Sequence, residues 1–289
     1  MKKCIALIVL LFLPFSSIIT EAKGGEVYIA LGDSIAAGQT PNRAIDAGYT
    51  DLIAQELTRS HQLAYFSKAL AFPGYTTADV LKTVRTKEAK ELLKNATVVT
   101  ISAGANDLLR LVQVNPSKGT VAYKQVQVDY ALNNVRKNID DIIQEVQAIT
   151  PKAKIVVMGY YFAYPHVHDA QKEGIKKELN TMNTILKTEA NANGATFVDV
   201  EEAFKGHEKE LLPNSSDVHP TMEGYRLMAN AFLKQYNERL QVNKNELPAP
   251  NPLTFEQILE KQKESVKKPV SRIQGFDQYL SLTKLKPYI

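Results

Sequence analysis

The chain alternates short apolar runs with longer amphipathic stretches. The apolar runs predict five strands, at Val27–Leu31, Leu63–Ser67, Thr97–Ser102, Lys154–Gly159 and Thr196–Val200. The amphipathic stretches predict five helices, at Tyr49–Ser60, Thr77–Leu93, Val121–Ile149, Ala170–Ala192 and Thr221–Leu240. This alternation is typical of parallel βαβ units, and strands that are apolar nearly throughout are covered on both faces. The pattern therefore predicts the α/β class, as a three-layer α/β/α sandwich around a five-stranded parallel sheet.

The first 22 residues follow a different pattern. Met-Lys-Lys is followed by an apolar run and then by Thr-Glu-Ala, which resembles a signal-peptidase site. The run is shorter than the roughly 20 residues that a transmembrane helix needs, although an uncleaved anchor remains the alternative. We predict a bacterial Sec-type signal peptide over residues 1–22, and hence a secreted or cell-surface protein.

The predicted globular body covers residues 23–241. After it, the polar and Pro-rich stretch NKNELPAPNP is typical of a linker. A helix is predicted at Thr254–Lys267, so residues 242–289 are predicted to form a linker with a helical extension.

Composition excludes several kinds of function. The net charge is +4 in 289 residues, but basic and acidic side chains are equal in number between residues 23 and 240. No nucleic acid is expected as a partner, while the basic tail suits contact with an anionic cell wall or membrane surface. The single cysteine, Cys4, lies in the signal, so the mature chain is expected to contain neither a disulfide nor a cysteine nucleophile.

Chemically useful residues follow the predicted strands at their carboxyl ends, where parallel α/β sheets bind ligands. They are Ser34, Gly74, Asn106 and His219, with Asp217 two residues before the histidine. A serine nucleophile needs a base, the base needs an orienting acceptor, and the oxyanion needs donors. Each residue alone also suits a cap, a turn or a surface loop, so the inference depends on their joint placement.

Four blocks carry a resemblance to a known family: ALGDSIAAG, AFPGYTTADVL, GAND and DVHPTMEGYRLMA. In this order they resemble the GDSL or SGNH hydrolases, over about residues 27 to 235. The resemblance implies a flavodoxin-like fold and esterase activity without a metal or organic cofactor. It also implies that Ser34 is the nucleophile, that Gly74 and Asn106 join Ser34 as oxyanion donors, and that His219 is the base.

One position departs from the family pattern. The family usually places its acid three residues before the histidine, where this chain has Ser216. Either Asp217 reaches the far nitrogen of His219, which we favour, or a backbone carbonyl orients the ring and the pair works as a dyad.

Three other functions compete with this interpretation. The G-x-S-x-G pattern of the other large serine hydrolase class is absent around Ser34, because Ala36 stands where a glycine is needed. A metal site built from His166, His168, Asp169 and His207 is chemically credible, but a polar loop explains these residues more simply.

The third alternative function would use the same fold and the same residues. An acyltransferase that moves an acetyl group to a cell-wall glycan, or a binding protein without catalysis, would look similar in sequence. We predict an exported serine esterase acting on short or medium acyl esters, acetylated carbohydrate or lysophospholipid, through an acyl-Ser34 intermediate. The aromatic loop after the fourth predicted strand is expected to form a wall of its substrate site.

Overall fold

The computed structural model describes residues 24–251, 253, 256, 257 and 260. This part of the chain contains seven strands: β1 (Glu26–Gly32), β2 (Leu63–Ala71), β3 (Val98–Ser102), β4 (Gln113–Asn115), β5 (Thr120–Ala122), β6 (Lys154–Met158) and β7 (Thr196–Val198). Its ten α-helices are α1 (Ser34–Ala37), α2 (Tyr49–Arg59), α3 (Thr77–Val84), α4 (Lys87–Leu93), α5 (Ala105–Leu109), α6 (Gln125–Ile149), α7 (Asp169–Ala192), α8 (Glu201–Phe204), α9 (Glu208–Leu211) and α10 (Met222–Tyr236).

Five strands form one parallel sheet in the order β2-β1-β3-β6-β7. Numbered within the sheet, this is the order 2-1-3-4-5 of the flavodoxin-like doubly wound fold. Right-handed crossovers place the α2 connection on one face and the α6 and α7 connections on the other. The predicted α/β sandwich and its five parallel strands are confirmed.

The core lies on both faces of this sheet. All five residues of β3 are buried, as are the last five of β1. Helix α6 adds an apolar stripe at helical spacing, formed by Val135, Ile139, Ile142 and Val146. The apolar character of these strands therefore reflects cover from helices above and below.

The strand order creates a switch point between β1 and β3. The chain leaves β1 towards β2 on one side and leaves β3 towards β6 on the other. Loops diverge there and leave a crevice at the carboxyl ends of the two strands. The segments that carry Ser34 and Asn106 begin at this crevice.

Three predicted helices differ from the observed ones by more than one residue. The helix predicted at Thr77–Leu93 is divided, because Thr86 caps a new helix by accepting a hydrogen bond from the Ala89 N–H. The helix predicted from Val121 begins at Gln125, since residues 113–122 form the β4–β5 hairpin. The last helix ends at Tyr236, where Asn237 turns to an extended conformation.

Outside the sandwich, the described part of the predicted linker packs on the body. Val242 is buried, and its N–H and C=O bond the Asn230 side chain. Asn251 bonds Asp46 and the Ile45 carbonyl. The predicted signal peptide lies outside the described residues, as does most of the helix predicted at Thr254–Lys267. No helix in the described part of the chain is long and apolar enough to cross a membrane.

Candidate active site

Ser34 is the first residue of α1, directly after β1. The chain turns at Gly32, whose φ of +145° is rare for other residues, and a Cβ there would collide with the Ser102 carbonyl oxygen. The Asp33 carboxylate then caps α1 by accepting the Ile35 N–H at 2.9 Å. This tight junction fixes where the Ser34 hydroxyl lies.

His219 joins Ser34 and Asp217 in one chain of hydrogen bonds. Its Nε2 lies 2.7 Å from Ser34 Oγ, and its Nδ1 lies 2.6 Å from Asp217 Oδ1. Because a carboxylate only accepts, Nδ1 carries the proton and Nε2 is left to accept from the serine hydroxyl. The side chains of His219 and Asp217 are only 11% and 12% exposed, so little water competes for these bonds.

Two loops hold the histidine in place. The Tyr161 hydroxyl donates to the Val218 carbonyl at 2.9 Å, and its ring stacks on Phe204 with the centroids 4.2 Å apart. After the histidine, Thr221 caps α10 by accepting the Gly224 N–H. The segment that carries the imidazole is therefore anchored on both sides.

Gly74 and Asn106 are anchored to one another's segments. The Asn106 Nδ2 donates to the Tyr75 carbonyl at 2.9 Å, and Arg110 donates to the Gly74 carbonyl at 2.6 Å. Gly74 has a φ of +84°, a conformation that glycine adopts without strain. Within the described part of the chain, no hydrogen bond uses the backbone N–H of Ser34 or of Gly74. These two donors remain available to a substrate oxygen.

Asp107 connects the same two segments from beneath. Its carboxylate accepts from both the N–H and the hydroxyl of Thr77, at 2.8 and 2.7 Å. Asn138 on α6 adds a hydrogen bond to the Thr77 hydroxyl. Burial raises the pKa of Asp107 despite the bonds from Thr77. The loop of Gly74 and the helix of Asn106 are thus fixed relative to each other.

A second carboxylate lies directly under the serine. Asp33 is fully buried, and the Tyr160 hydroxyl donates to its Oδ2 at 2.6 Å. The Asn183 side chain in turn bonds both the N–H and the C=O of Tyr160. Burial raises the pKa of Asp33 to about 6, although the Tyr160 bond, the Ile35 N–H and the nearby His219 all lower it.

An apolar pocket opens beside Ser34. The space between its walls, counted together with the solvent at its open mouth, is about 860 Å³. Its walls come from α1, α5, the β4–β5 hairpin, α6, α7 and the loop after β6. Tyr160, Tyr161, Phe162 and Tyr164 of that loop all line it, as expected from the sequence.

A sequence model of the GDSL-like lipase/acylhydrolase family matches residues 30–227. The chain belongs to this family. It is therefore an ester-hydrolysing enzyme, and the family expected from the four sequence blocks is confirmed.

Individual relatives are similar at lower identity. The spore germination lipase LipC of Bacillus licheniformis is 25% identical in an alignment of 219 positions that covers 70% of this chain and 92% of the relative. Among solved structures, a lipase from a goat rumen metagenome is 23% identical with a TM-score of 0.59, over 71% of this chain and 94% of its own. An acetyl-xylooligosaccharide esterase from Geobacillus is 20% identical with a TM-score of 0.56, over 74% of this chain and 95% of its own. These structures share the fold with this GDSL hydrolase.

Of the five residues singled out in the sequence of this GDSL hydrolase, Ser34, His219 and Asp217 are joined by hydrogen bonds. Asn106 lines the same pocket as Ser34 and bonds Tyr75, the residue after Gly74. Two neighbours were missed as parts of the site. Asp107 follows Asn106 directly, and its position inside the GAND block was a usable signal. Asn183 lies in the middle of α7, where the sequence offered no signal, because only the fold brings it to Tyr160.

Two of the other histidines have structural partners. His166 Nε2 lies 2.7 Å from the Leu212 carbonyl oxygen, and His207 Nδ1, at the N-cap of α9, lies 3.4 Å from Glu210 in that helix. Among the described residues, no group of three histidine, cysteine, aspartate or glutamate side chains is arranged to hold a metal ion.

Proposed function

We propose that this GDSL hydrolase is a serine esterase that works through an acyl-Ser34 intermediate. The observation that carries the proposal is the chain of hydrogen bonds from Ser34 Oγ through His219 to Asp217, at 2.7 and 2.6 Å. A serine hydroxyl with a base on one side, and a base with a carboxylate on the other, is the arrangement that acyl transfer requires.

In the first half of the reaction, Ser34 Oγ attacks the ester carbonyl carbon while its proton passes to His219 Nε2. The carbonyl π electrons move to the oxygen, which becomes a tetrahedral oxyanion. Collapse of this intermediate breaks the bond to the alcohol oxygen, which takes the proton from His219. The alcohol leaves and the acyl group stays on Ser34.

The second half repeats these steps with water. His219 takes a proton from water, whose oxygen attacks the acyl carbon. The new tetrahedral intermediate collapses, Ser34 Oγ leaves and recovers its proton from His219, and the carboxylic acid is released. Asp217 stabilises the imidazolium that forms in each half.

Three donors are proposed for the oxyanion: the N–H groups of Ser34 and Gly74, and the hydrogen of the Asn106 side-chain amide that is not given to the Tyr75 carbonyl. Both backbone groups are unused within the described hydrogen bonds, and Ser34 lies at the start of α1. Preorganised donors of this kind stabilise charge that develops only in the transition state.

The substrates proposed are carboxylic esters with short or medium acyl chains, acetylated carbohydrate or lysophospholipid. A relative named as a lipase supports the fatty acyl esters among these substrates, and a relative named as an acetylxylan esterase supports acetylated carbohydrate.

The enzyme is proposed to be exported, because Met-Lys-Lys is followed by an apolar run. Its basic tail is proposed to contact anionic cell-wall or membrane surfaces. N-terminal sequencing of the protein recovered outside the cell tests export, with Lys23 expected as the first residue.

The catalytic proposal is tested by Ser34→Ala. The variant should lose p-nitrophenyl ester hydrolysis and labelling by a fluorophosphonate probe, because no other serine in the described part of the chain hydrogen-bonds a histidine. Ser216→Ala, which removes an exposed hydroxyl from the histidine loop, should keep both. Labelling of Ser34→Ala at another residue would overturn the assignment. Product analysis with and without a glycan acceptor distinguishes hydrolysis from acyl transfer.

A further inference from the structure

The apolar pocket beside Ser34 is longer than an acetyl group needs. Helix α7 lines it with Ile175, Leu179 and Met182, which lie on one face at helical spacing. Met182 follows Ile175 by seven positions, so this wall extends about 10 Å along the helix axis.

Met182 marks the end of this wall that lies near the catalytic residues. Its Sδ lies 3.5 Å from the point where a Cβ on Gly104 would be, and Gly104 caps α5, the helix of Asn106. The next residue, Asn183, bonds Tyr160, whose hydroxyl reaches Asp33 beneath Ser34. Ile175 therefore lies at the end of the wall that is remote from the serine.

The pocket lies on the acyl side of the reacting carbon. Ser34 and Asn106 line it, and so does Val218 of the histidine loop, whereas the imidazole-bearing His219 itself does not. In acyl transfer the base must protonate the leaving alcohol, so the alcohol lies towards His219 and the acyl chain on the other side.

The lining carries few charges. Apart from Asp33, which is bonded to Tyr160, Glu178 is the one carboxylate among the described residues that line the pocket. Glu178 accepts a hydrogen bond from Gln125 at 3.2 Å. An apolar wall with a carboxylate in it disfavours an anionic acyl group, such as a dicarboxylic half-ester, and favours a plain hydrocarbon chain.

We propose that this pocket binds an unbranched fatty acyl chain of about eight carbons, the length that matches the wall of about 10 Å between Ile175 and Met182, and that such esters, rather than acetyl esters, are the preferred substrates. This inference rests on the proposed function, since it assumes an acyl group on Ser34. Every methylene that enters the pocket leaves water, whereas an acetyl group leaves most of the apolar wall unfilled.

The first experiment compares p-nitrophenyl esters from acetate to dodecanoate with the unmodified enzyme, below their critical micelle concentrations. Burial of a methylene is worth about 0.8 kcal/mol, which corresponds to about a fourfold rise in kcat/KM. We expect kcat/KM to rise steeply to about octanoate and then to level off. A profile that is highest at acetate, or flat, overturns the inference.

The second experiment fills the remote end of the pocket. Ile175→Trp should lower the ratio of octanoate to acetate kcat/KM at least tenfold, because the indole occupies space that only the longer chain uses. Asn180→Trp on the exposed side of the same helix is the matched control and should leave this ratio unchanged. Val112→Trp enlarges a residue on another wall and provides an independent variant if Ile175→Trp does not fold, which circular dichroism would show. An unchanged ratio in a folded variant contradicts an acyl chain in this pocket.

The outcomes separate this inference from the catalytic proposal. If fluorophosphonate labels Ser34 and Ser34→Ala is inactive, but acetate is the best substrate, the pocket assignment alone is wrong. If Ser34→Ala keeps full activity on every ester, the catalytic proposal is wrong and the acyl assignment fails with it.

Discussion

Asp217 Oδ1 accepts two hydrogen bonds from His219, one from the ring Nδ1 at 2.6 Å and one from the backbone N–H at 2.8 Å. The second bond is an Asx turn, in which a side chain bonds the backbone two residues later. This turn brings the carboxylate back alongside the imidazole. It explains how an acid two residues before the histidine reaches the ring, although the family usually places its acid three residues before the histidine.

This double contact predicts different losses for two substitutions at Asp217. Asp217→Asn keeps an oxygen that can accept both bonds but removes the charge opposite the imidazolium, so kcat should fall at least tenfold. Asp217→Ala also removes the turn and frees the ring, and kcat should fall roughly 10³- to 10⁴-fold. Steady-state kinetics with a p-nitrophenyl ester measure both.

Ser216 provides the matched control, because it stands where the family usually has its acid and its side chain is exposed. Ser216→Ala should keep kcat within about twofold. Moving the carboxylate by combining Ser216→Asp with Asp217→Ser should not restore activity, because the Asx turn to His219 is lost. Restored activity would show that the loop adapts to either spacing.

The fold was predictable because each sheet strand is an apolar run that ends in a turn signal. The ends of the strands and helices were less predictable where a polar side chain bonds residues that are distant in the sequence. Strand β2 continues past Ser67 because Lys68 is not exposed there: its ammonium bonds the Ala37 carbonyl and the Asp51 carboxylate. The β4–β5 hairpin was missed because its strands are three residues long and lie next to an amphipathic helix.

The catalytic residues were predictable because sheet topology gathers the carboxyl ends of parallel strands. The residues that hold the catalytic residues in place were not predictable. Tyr160 bonds Asp33 across 127 positions of sequence, and its own support, Asn183, comes from the middle of a helix. Sequence pattern identifies which residues follow a strand, but contacts between distant segments depend on how the helices pack.

Asn106→Ala tests the side-chain donor to the oxyanion. Removing one such donor lowers kcat by roughly 10²- to 10³-fold, while KM should change little because the bond matters in the transition state. The same substitution removes the bond to the Tyr75 carbonyl and should destabilise the fold by only about 1 kcal/mol. Kinetics and a thermal melt, both with Asn180→Ala as the control, separate these effects. A twofold loss of kcat would assign Asn106 a structural role alone.

Gly74→Ala tests the backbone donor. A Cβ at Gly74 meets no atom within 4 Å, so the cost comes only from the φ of +84°. Strain of this kind is about 1 to 2 kcal/mol, and relief of it would turn the Gly74 N–H away from the oxyanion. We expect kcat to fall at least tenfold, with Gly74→Asn less affected because asparagine adopts this conformation more readily.

Gly206 is a matched control for this strain. Its φ is +81°, a Cβ there also meets nothing within 4 Å, and it lies in the loop after α8. Gly206→Ala should lower the melting temperature about as much as Gly74→Ala but leave kcat unchanged. Equal losses of kcat in the two variants would mean that general destabilisation, and not the direction of one N–H, explains the result.

The buried carboxyl of Asp33 predicts a pH dependence of stability. Its pKa is about 6 in the folded protein, against an ordinary value near 3.8, because burial disfavours the charged form. Between these two values the folded state holds a proton that the unfolded state has lost, so stability falls as pH rises. Asp33→Asn does not ionise. Relative to this variant, the free energy of unfolding of the wild type should fall by about 3 kcal/mol between pH 3 and pH 7, with roughly half of the fall above pH 5.

Urea denaturation of both proteins across this range measures the difference, in which the titration of other groups largely cancels. Tyr160→Phe provides a second comparison. It removes the hydroxyl that donates to Asp33 Oδ2 and favours the charged form, so it should raise the Asp33 pKa and extend the loss of stability to higher pH. A stability difference between wild type and Asp33→Asn that stays constant with pH would mean that Asp33 ionises normally, and that the carboxylate beneath Ser34 carries its charge without cost to the fold.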